Sequence, residues 1–247
     1  MTAAATLRAL HLGREAGDPL VLPGPWDAVS ARAFEEAGFP ALATPSAGIS
    51  ATLGYEDGGQ TPPAEMFAAI ARIVRAVDVP VSADIEDGYG LAPAEIVERL
   101  LEAGAAGCNL EDSDPATGQL VDPRRHADRL ADVRAAAGGQ LVVNARIDTF
   151  LRGTPDAAAA IERGLLYREA GVDCVYPILA PRELLPELAA GIGGPLNALA
   201  APAGRPSPRE LGALGATRIT FGGGPQQRIA GEIRSLAGGL ATTAAAP

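Results

Sequence analysis

Short apolar, β-rich runs alternate along this chain with longer stretches whose apolar positions recur at helical spacing. The short runs lie at 20–22, 41–44, 79–85, 107–110, 141–147, 174–179, 195–199 and 218–221. The helical stretches between them cover 28–37, 64–76, 93–103, 123–137, 156–170, 181–190, 208–214 and 226–236. Pro93, Pro123, Pro181 and Pro208 stand where a first helical turn tolerates the missing N–H. Gly38, Gly104, Gly138, Gly171, Gly191 and Gly215 stand where a left-handed C-cap ends a helix. Eight strand–helix units in succession predict an α/β fold of the (β/α)8, TIM-barrel type. A doubly wound sheet is disfavoured, because Pro23-Gly24-Pro25-Trp26-Asp27 after the first strand makes a poor nucleotide cradle. The reading is one barrel domain over residues 1–247, with a small, Ala-rich tail from about 238 to 247 expected to fray.

At 247 residues with 47% hydrophobic content, a full core needs neither disulfide nor metal staples. The net charge of −10 argues against nucleic-acid and anionic-membrane partners, which require clustered cations. All 20 basic residues are Arg, which excludes Schiff-base, pyridoxal phosphate and P-loop lysine chemistry. Cys108 and Cys174 form no metal-ligand spacing and read as buried small hydrophobes in a reducing compartment. Neither a signal peptide nor a membrane-spanning run is evident, so a cytoplasmic location is expected.

Barrel chemistry belongs at the C-terminal strand ends. The third strand ends in Asp84-Ile85-Glu86-Asp87-Gly88-Tyr89-Gly90. Asp84 and Glu86, two apart, share a side of an extended strand, and paired carboxylates call for a cation or proton between them. The fourth strand ends in Asn109-Leu110-Glu111-Asp112 and the fifth in Asn144-Ala145-Arg146-Ile147-Asp148. Oxygen donors without His or thiolate suit a hard cation, Mg²⁺ first and Mn²⁺ second. Asp112 and Asp148 read more simply as caps of the helices that follow. Arg146 is either a salt-bridge bystander or a fixed cation facing an anionic substrate. Gly88-Tyr89-Gly90 is a turn whose aromatic residue could wall a pocket.

Six ordered segments resemble the isocitrate lyase/phosphoenolpyruvate mutase superfamily. They are Pro25-Trp26-Asp27-Ala28-Val29-Ser30-Ala31-Arg32, Thr44-Pro45-Ser46-Ala47-Gly48-Ile49-Ser50, Leu53-Gly54-Tyr55-Glu56-Asp57, 83–90, 109–112 and Asn144-Ala145-Arg146. The resemblance implies a Mg²⁺-dependent barrel, a dimer or tetramer, that works on a small 2-oxo or 2-hydroxy acid through an enolate. It implies Asp84 as the metal ligand, with Asp57, Glu86 and Glu111 reaching the ion through water, and Arg146 neutralising the oxyanion. Residues 44–47 would bind the substrate carboxylate. The resulting site comprises Arg146, Asp57 and Tyr89 for catalysis; Thr44, Ser46, Ala47, Tyr55, Gly88 and Asn197 for substrate; and Asp84, Glu86 and Glu111 for metal.

The loop after the fourth strand, Asp112-Ser113-Asp114-Pro115-Ala116-Thr117-Gly118-Gln119, lacks the family's Lys, Cys and His. Pro45-Ser46 stands where Ser-Gly is usual, which removes an N–H donor. The proton donor is left open among Tyr55, Tyr89, Tyr176, Ser113 and Asp114. His126, after Arg124-Arg125, reads as a surface residue. A C–C lyase or decarboxylase is the first expectation. C–P mutase or hydrolase chemistry and a non-catalytic metal-binding barrel are the alternatives. The chain ends about one helix after the eighth strand, so exchange of a terminal helix between subunits is not expected.

Overall fold

The structure is a computed structural model and describes residues 1–153, 155–202 and 204–244. The strands, in order, are β1 (Leu20–Val21), β2 (Leu42–Ala43), β3 (Val81–Asp84), β4 (Gly107–Glu111), β5 (Val142–Ile147), β6 (Cys174–Pro177), β7 (Asn197–Leu199) and β8 (Arg218–Thr220). Each falls inside or within one residue of a run read from the sequence.

All pairings between these strands are parallel. One ladder runs β2-β3-β4-β5-β6 and the other β1-β8-β7. Two seams join them. Val175 bridges Leu196 between β6 and β7, and the Ala43 N–H donates to the Pro23 carbonyl at 3.1 Å between β1 and β2. The strands thereby form a (β/α)8 barrel. Aliphatic positions on the strands and inner helix faces make the core, with Leu42, Val81, Leu110, Val143, Val175 and Ile219 fully buried or nearly so.

The helices are α1 (Ala3–Leu10), α2 (Ala28–Glu36), α3 (Ser46–Leu53), α4 (Pro63–Val74), α5 (Pro93–Glu102), α6 (Pro123–Ala137), α7 (Thr149–Arg152), α8 (Ala157–Glu169), α9 (Leu185–Ile192), α10 (Pro208–Ala213) and α11 (Gly224–Ala244). Pro93, Pro123 and Pro208 occupy first-turn positions. Pro181 instead precedes a 3₁₀ turn, Arg182–Leu184. Gly191 lies inside α9, which ends at Gly193 (φ 65°). A Cβ on Gly191 would sit 2.5 Å from Ile161, so close packing rather than capping explains that glycine.

Three helices, α1, α3 and α7, were not legible as barrel repeats. The first lies across the N-terminal strand ends: Arg8 pairs with Asp173 at 2.8 Å and donates to the Leu141 carbonyl, while Leu7 is fully buried. The expected frayed tail is helical through Gly238 and Gly239 to Ala244, and 245–247 lie outside the described residues. Ile229, Ile233, Leu236 and Leu240, spaced four, three and four apart, give α11 an apolar stripe that sequence totals concealed. Among the described residues no helix is long and apolar enough to cross a membrane.

Candidate active site

Asp84 ends β3 opposite Asn109, which in turn lies opposite Asn144. Its Oδ2 accepts from the Ser46 N–H at 3.1 Å and from the Ser46 hydroxyl at 2.8 Å. Its own N–H donates to Thr44 Oγ1 at 3.2 Å. Ser46 opens α3, which has no side-chain cap of its own, so the Asp84 carboxylate takes the place an N-cap would fill. The second oxygen, Oδ1, is buried without a partner. Ser46 therefore holds the carboxylate and Thr44 the backbone of Asp84, while Ala47, in the first turn of α3, lines the same cavity.

Arg146 on β5 sits between Glu111 on β4 and Tyr176 on β6 in register. Its Nε and Nη2 donate to the two oxygens of Asp148 at 2.6 and 3.1 Å, and Nη1 donates to Glu111. Asp148 is fully buried and accepts from the Ser113 hydroxyl. The Asp148 N–H donates to Asp112 Oδ1 at 2.8 Å; Asp112 Oδ2 takes the Tyr167 hydroxyl at 2.7 Å and Arg163 at 2.9 Å. The helix-cap reading of Asp112 and Asp148 is thus corrected. Asp148 precedes α7, but its side chain makes no cap bond and instead aims the guanidinium. Residues 144, 146 and 148 are spaced two apart, with Asp148 just beyond the end of β5, and that spacing is the sequence signal for Asp148. Burial opposes the charge on Arg146, but Glu111 and Asp148 outweigh it and hold the guanidinium above its ordinary range.

A cavity of about 590 Å³ opens at these strand ends, lined by Thr44, Ser46, Ala47, Asp57, Asp84, Asn109, Arg146 and Tyr176 among others. Several expected site residues fall elsewhere. The Tyr55 hydroxyl donates to Glu65 at 2.8 Å, outside the lining. Gly88 (φ 89°) packs outward, where a Cβ would meet Ile96 at 2.6 Å and Arg129 at 2.8 Å; its role is the turn, not substrate contact. Asn197 is fully buried beneath the floor, donating to Thr220 Oγ1 and accepting from Asn144. Tyr89 packs edge-on against Phe67 and donates to Glu86 Oε1 at 3.3 Å, so it touches the site only through that acid. His126 is buried against Tyr167 on α6 rather than exposed, and Arg124 and Arg125 lie on the same helix, away from this cavity. Of the hydroxyl and carboxyl groups left open as proton donors, Tyr176 lines the cavity; Ser113 and Asp114 line a separate recess behind Glu111.

The acids crowd one another. Burial, then Asp84 and Asp57, pushes the Glu86 carboxyl up to about 7. Burial and Asp84 also raise Asp57. Burial raises Glu111 well above the carboxylate range. Such a set fits a divalent cation, which would relieve the repulsion and take the orphaned Asp84 Oδ1 as a ligand. Among the described residues no group of three or more His, Cys, Asp or Glu is arranged to hold a metal ion by itself, so a cation here would draw its remaining ligands from water or substrate.

A parallel (β/α)8 barrel with acids and a guanidinium at its C-terminal strand ends has the layout of a barrel enzyme. The family model described as phosphoenolpyruvate phosphomutase matches residues 7–241, and the chain belongs to this family, within the isocitrate lyase/phosphoenolpyruvate mutase superfamily. The 2-methylisocitrate lyase of Bacillus subtilis strain 168 is 34% identical over 171 residues, 66% of this chain and 56% of that protein. The crystal structure of 2,3-dimethylmalate lyase superposes with a TM-score of 0.83 at 28% identity, over 95% of this chain and 83% of the other. Oxaloacetate acetylhydrolase in complex with the product oxalate gives 0.82 at 26% identity, over 95% and 85%.

Proposed function

We propose that this protein is a Mg²⁺-dependent C–C lyase or decarboxylase acting on a small 2-oxo or 2-hydroxy (di)carboxylate through an enolate. The observation that carries this reading is the pairing of Asp84 Oδ1, buried and unpartnered, with the fixed Arg146 guanidinium in one cavity. Asp84 would ligate the cation, with Asp57, Glu86 and Glu111 reaching it through water; Mn²⁺ has the same donor preference. The bound ion supplies partial neutralisation of negative charge on the 2-oxo oxygen.

The chain's own residues supply the rest. Arg146, already anchored by Asp148 and Glu111, presents a preorganised positive charge that needs no reorganisation as the enolate forms. The N–H of Ala47, in the first turn of α3 at the cavity, would donate to a substrate carboxylate. The Tyr176 hydroxyl lines the cavity, but burial raises it far above neutral pH and makes it a weak acid, so the proton that completes the product comes from water. Loss of CO₂ leaves the electron pair on the carbon next to the 2-oxo group, where water protonates it without the missing loop cysteine. C–P chemistry fits less well, since Arg146 is the one cation among the described cavity residues. The relatives named for methylisocitrate, dimethylmalate and oxaloacetate support carboxylic acid substrates.

The same reading makes the protein a homo-oligomer, with the α11 stripe against a second copy. α11 is 21 residues long and exposed over most of its length, which leaves its stripe accessible to that copy.

The test is a thermal-unfolding scan with Mg²⁺, with oxalate as an enolate mimic, and with both. A ligand at ~100 times its Kd adds about 2.7 kcal/mol, or roughly 5–10 °C for a chain of this size. The expected shift needs both additions and disappears in Asp84→Ala, whose circular dichroism is unchanged. No shift in the parent protein sinks the catalytic reading in favour of a non-catalytic barrel.

A further inference from the structure

The cavity mouth is divided by chemistry. Its charged side chains, Asp57, Asp84 and Arg146, come from the segments that follow β2 and from β3 and β5. The rest of the wall, built by β7, β8 and the segments after β5, β6, β7 and β8, presents Leu151, Ile178, Leu179, Leu199, Pro202 and Phe221, with Thr220 and Gln227 as its polar side chains. Two of these are large apolar side chains left open to solvent at the rim, Leu151 at 40% and Leu179 at 50% exposure. Leu179 also has φ +58°, a left-handed backbone that a leucine adopts at a cost. Solvent exposure and backbone strain coincide at a residue lining the reaction cavity, and neither is explained by the core.

Volume points the same way. The 590 Å³ cavity is open to solvent, so a substituent on the substrate has room to extend over this wall. A second carboxylate on the substrate would face this wall without a cation among the described residues, because Arg146 is committed to the reaction centre and its own anchors. An alkyl or aryl group there would instead lose water against six apolar side chains.

We propose that the substrate carries an extended apolar substituent on the carbon next to the reacting bond, and that Leu151 and Leu179 grip it. This deepens the enolate-site reading and rests on it. The preferred class is an alkyl- or aryl-substituted 2-oxo or 2-hydroxy acid, longer than oxaloacetate and not a tricarboxylate.

Oxamate and its N-methyl, N-ethyl, N-propyl and N-butyl derivatives mimic an enolate with a growing apolar arm, and N-carboxypropyl oxamate adds a terminal charge. Their Kd values, with Mg²⁺ present, are measured by calorimetry beside that of oxalate. The expected result is about three- to four-fold tighter binding per methylene, the factor for burying one CH₂ group, with the carboxypropyl compound weaker than butyl. In Leu179→Ser and Leu151→Ser the gain per methylene, normalised to oxalate in the same variant, falls toward one. Binding of oxalate with no gain along the series overturns the apolar arm and leaves the reaction centre standing. Tighter binding of the carboxypropyl compound overturns it in favour of a second anion subsite. Binding of neither oxalate nor any oxamate overturns the reaction centre itself.

Discussion

Arg146 spends three of its nitrogens on Asp148 and Glu111, and it is this double anchoring that makes the residue more than a charge. A lysine has neither the fork nor the reach to keep both partners. Arg146→Lys is expected to lower kcat/KM by about 10²–10³-fold, with Mg²⁺ affinity from calorimetry nearly unchanged. Asp84, Glu111 and Arg146 were legible at strand ends because alternation along β3, β4 and β5 is local information; the extended pairing of Asp84 with Glu86 was not correct, since β3 stops at Asp84 and Glu86 stands in the turn at φ 51°. What the sequence hid was long-range: that Ser46 and Thr44 serve Asp84, that Asp148 serves Arg146, and that Tyr55 and Gly88 face away. Those outcomes depend on which neighbour sits across a ladder or behind a helix, and no spacing rule carries that.

Among elements, the turn after β3 shows how a residue can matter to a site it does not touch. Gly88 combines φ 89° with contact distances that leave no room for a methyl group. Gly88→Ala should destabilise the fold by ~1–3 kcal/mol, read as a lower urea midpoint at constant m-value. The barrel helices were legible from their periodicity and their first-turn prolines. The extra helices were not: α3 is apolar on several sides, α7 is one turn long, and α1 owes its place to the closing of the barrel floor. The α11 stripe was hidden by the chain's small residues, Ala and Gly, which diluted its apolar spacing. Leu236→Glu with Leu240→Glu should convert the oligomer to monomer in sedimentation equilibrium; a parent protein already monomeric would refute the interface.

At the scale of the whole molecule, two histidines buried far apart set a common acid limit. Burial, then Arg218, holds His11 down at about 4, and burial, then Arg129, holds His126 at about 3. In the unfolded chain both bind protons near pH 6.5, so unfolding takes up protons below that pH and stability falls as pH drops from 6.5 toward 4. Each contributes up to about 1.4 kcal/mol per pH unit within that window. The buried acids with raised values pull the other way, so the histidine contribution is isolated by comparison. His126→Phe, which keeps an aromatic edge on Tyr167, should lose less stability than the parent between pH 7 and pH 5 in urea titrations.

The barrel is assembled from two ladders that meet at narrow seams, Val175 against Leu196 and Ala43 against Pro23. Asp84 and Arg146 belong to the five-stranded ladder, and Leu151, Ile178 and Leu179 follow its strands β5 and β6, whereas Leu199, Pro202 and Phe221 lie on or after the strands of the three-stranded one. The apolar wall therefore spans both ladders, and amino-acid replacement along it can reshape what side group fits while Asp84 and Arg146 stay. Descendants of one ancestral barrel could diverge in diet without reinventing their chemistry, because the wall and the reacting groups are different residues.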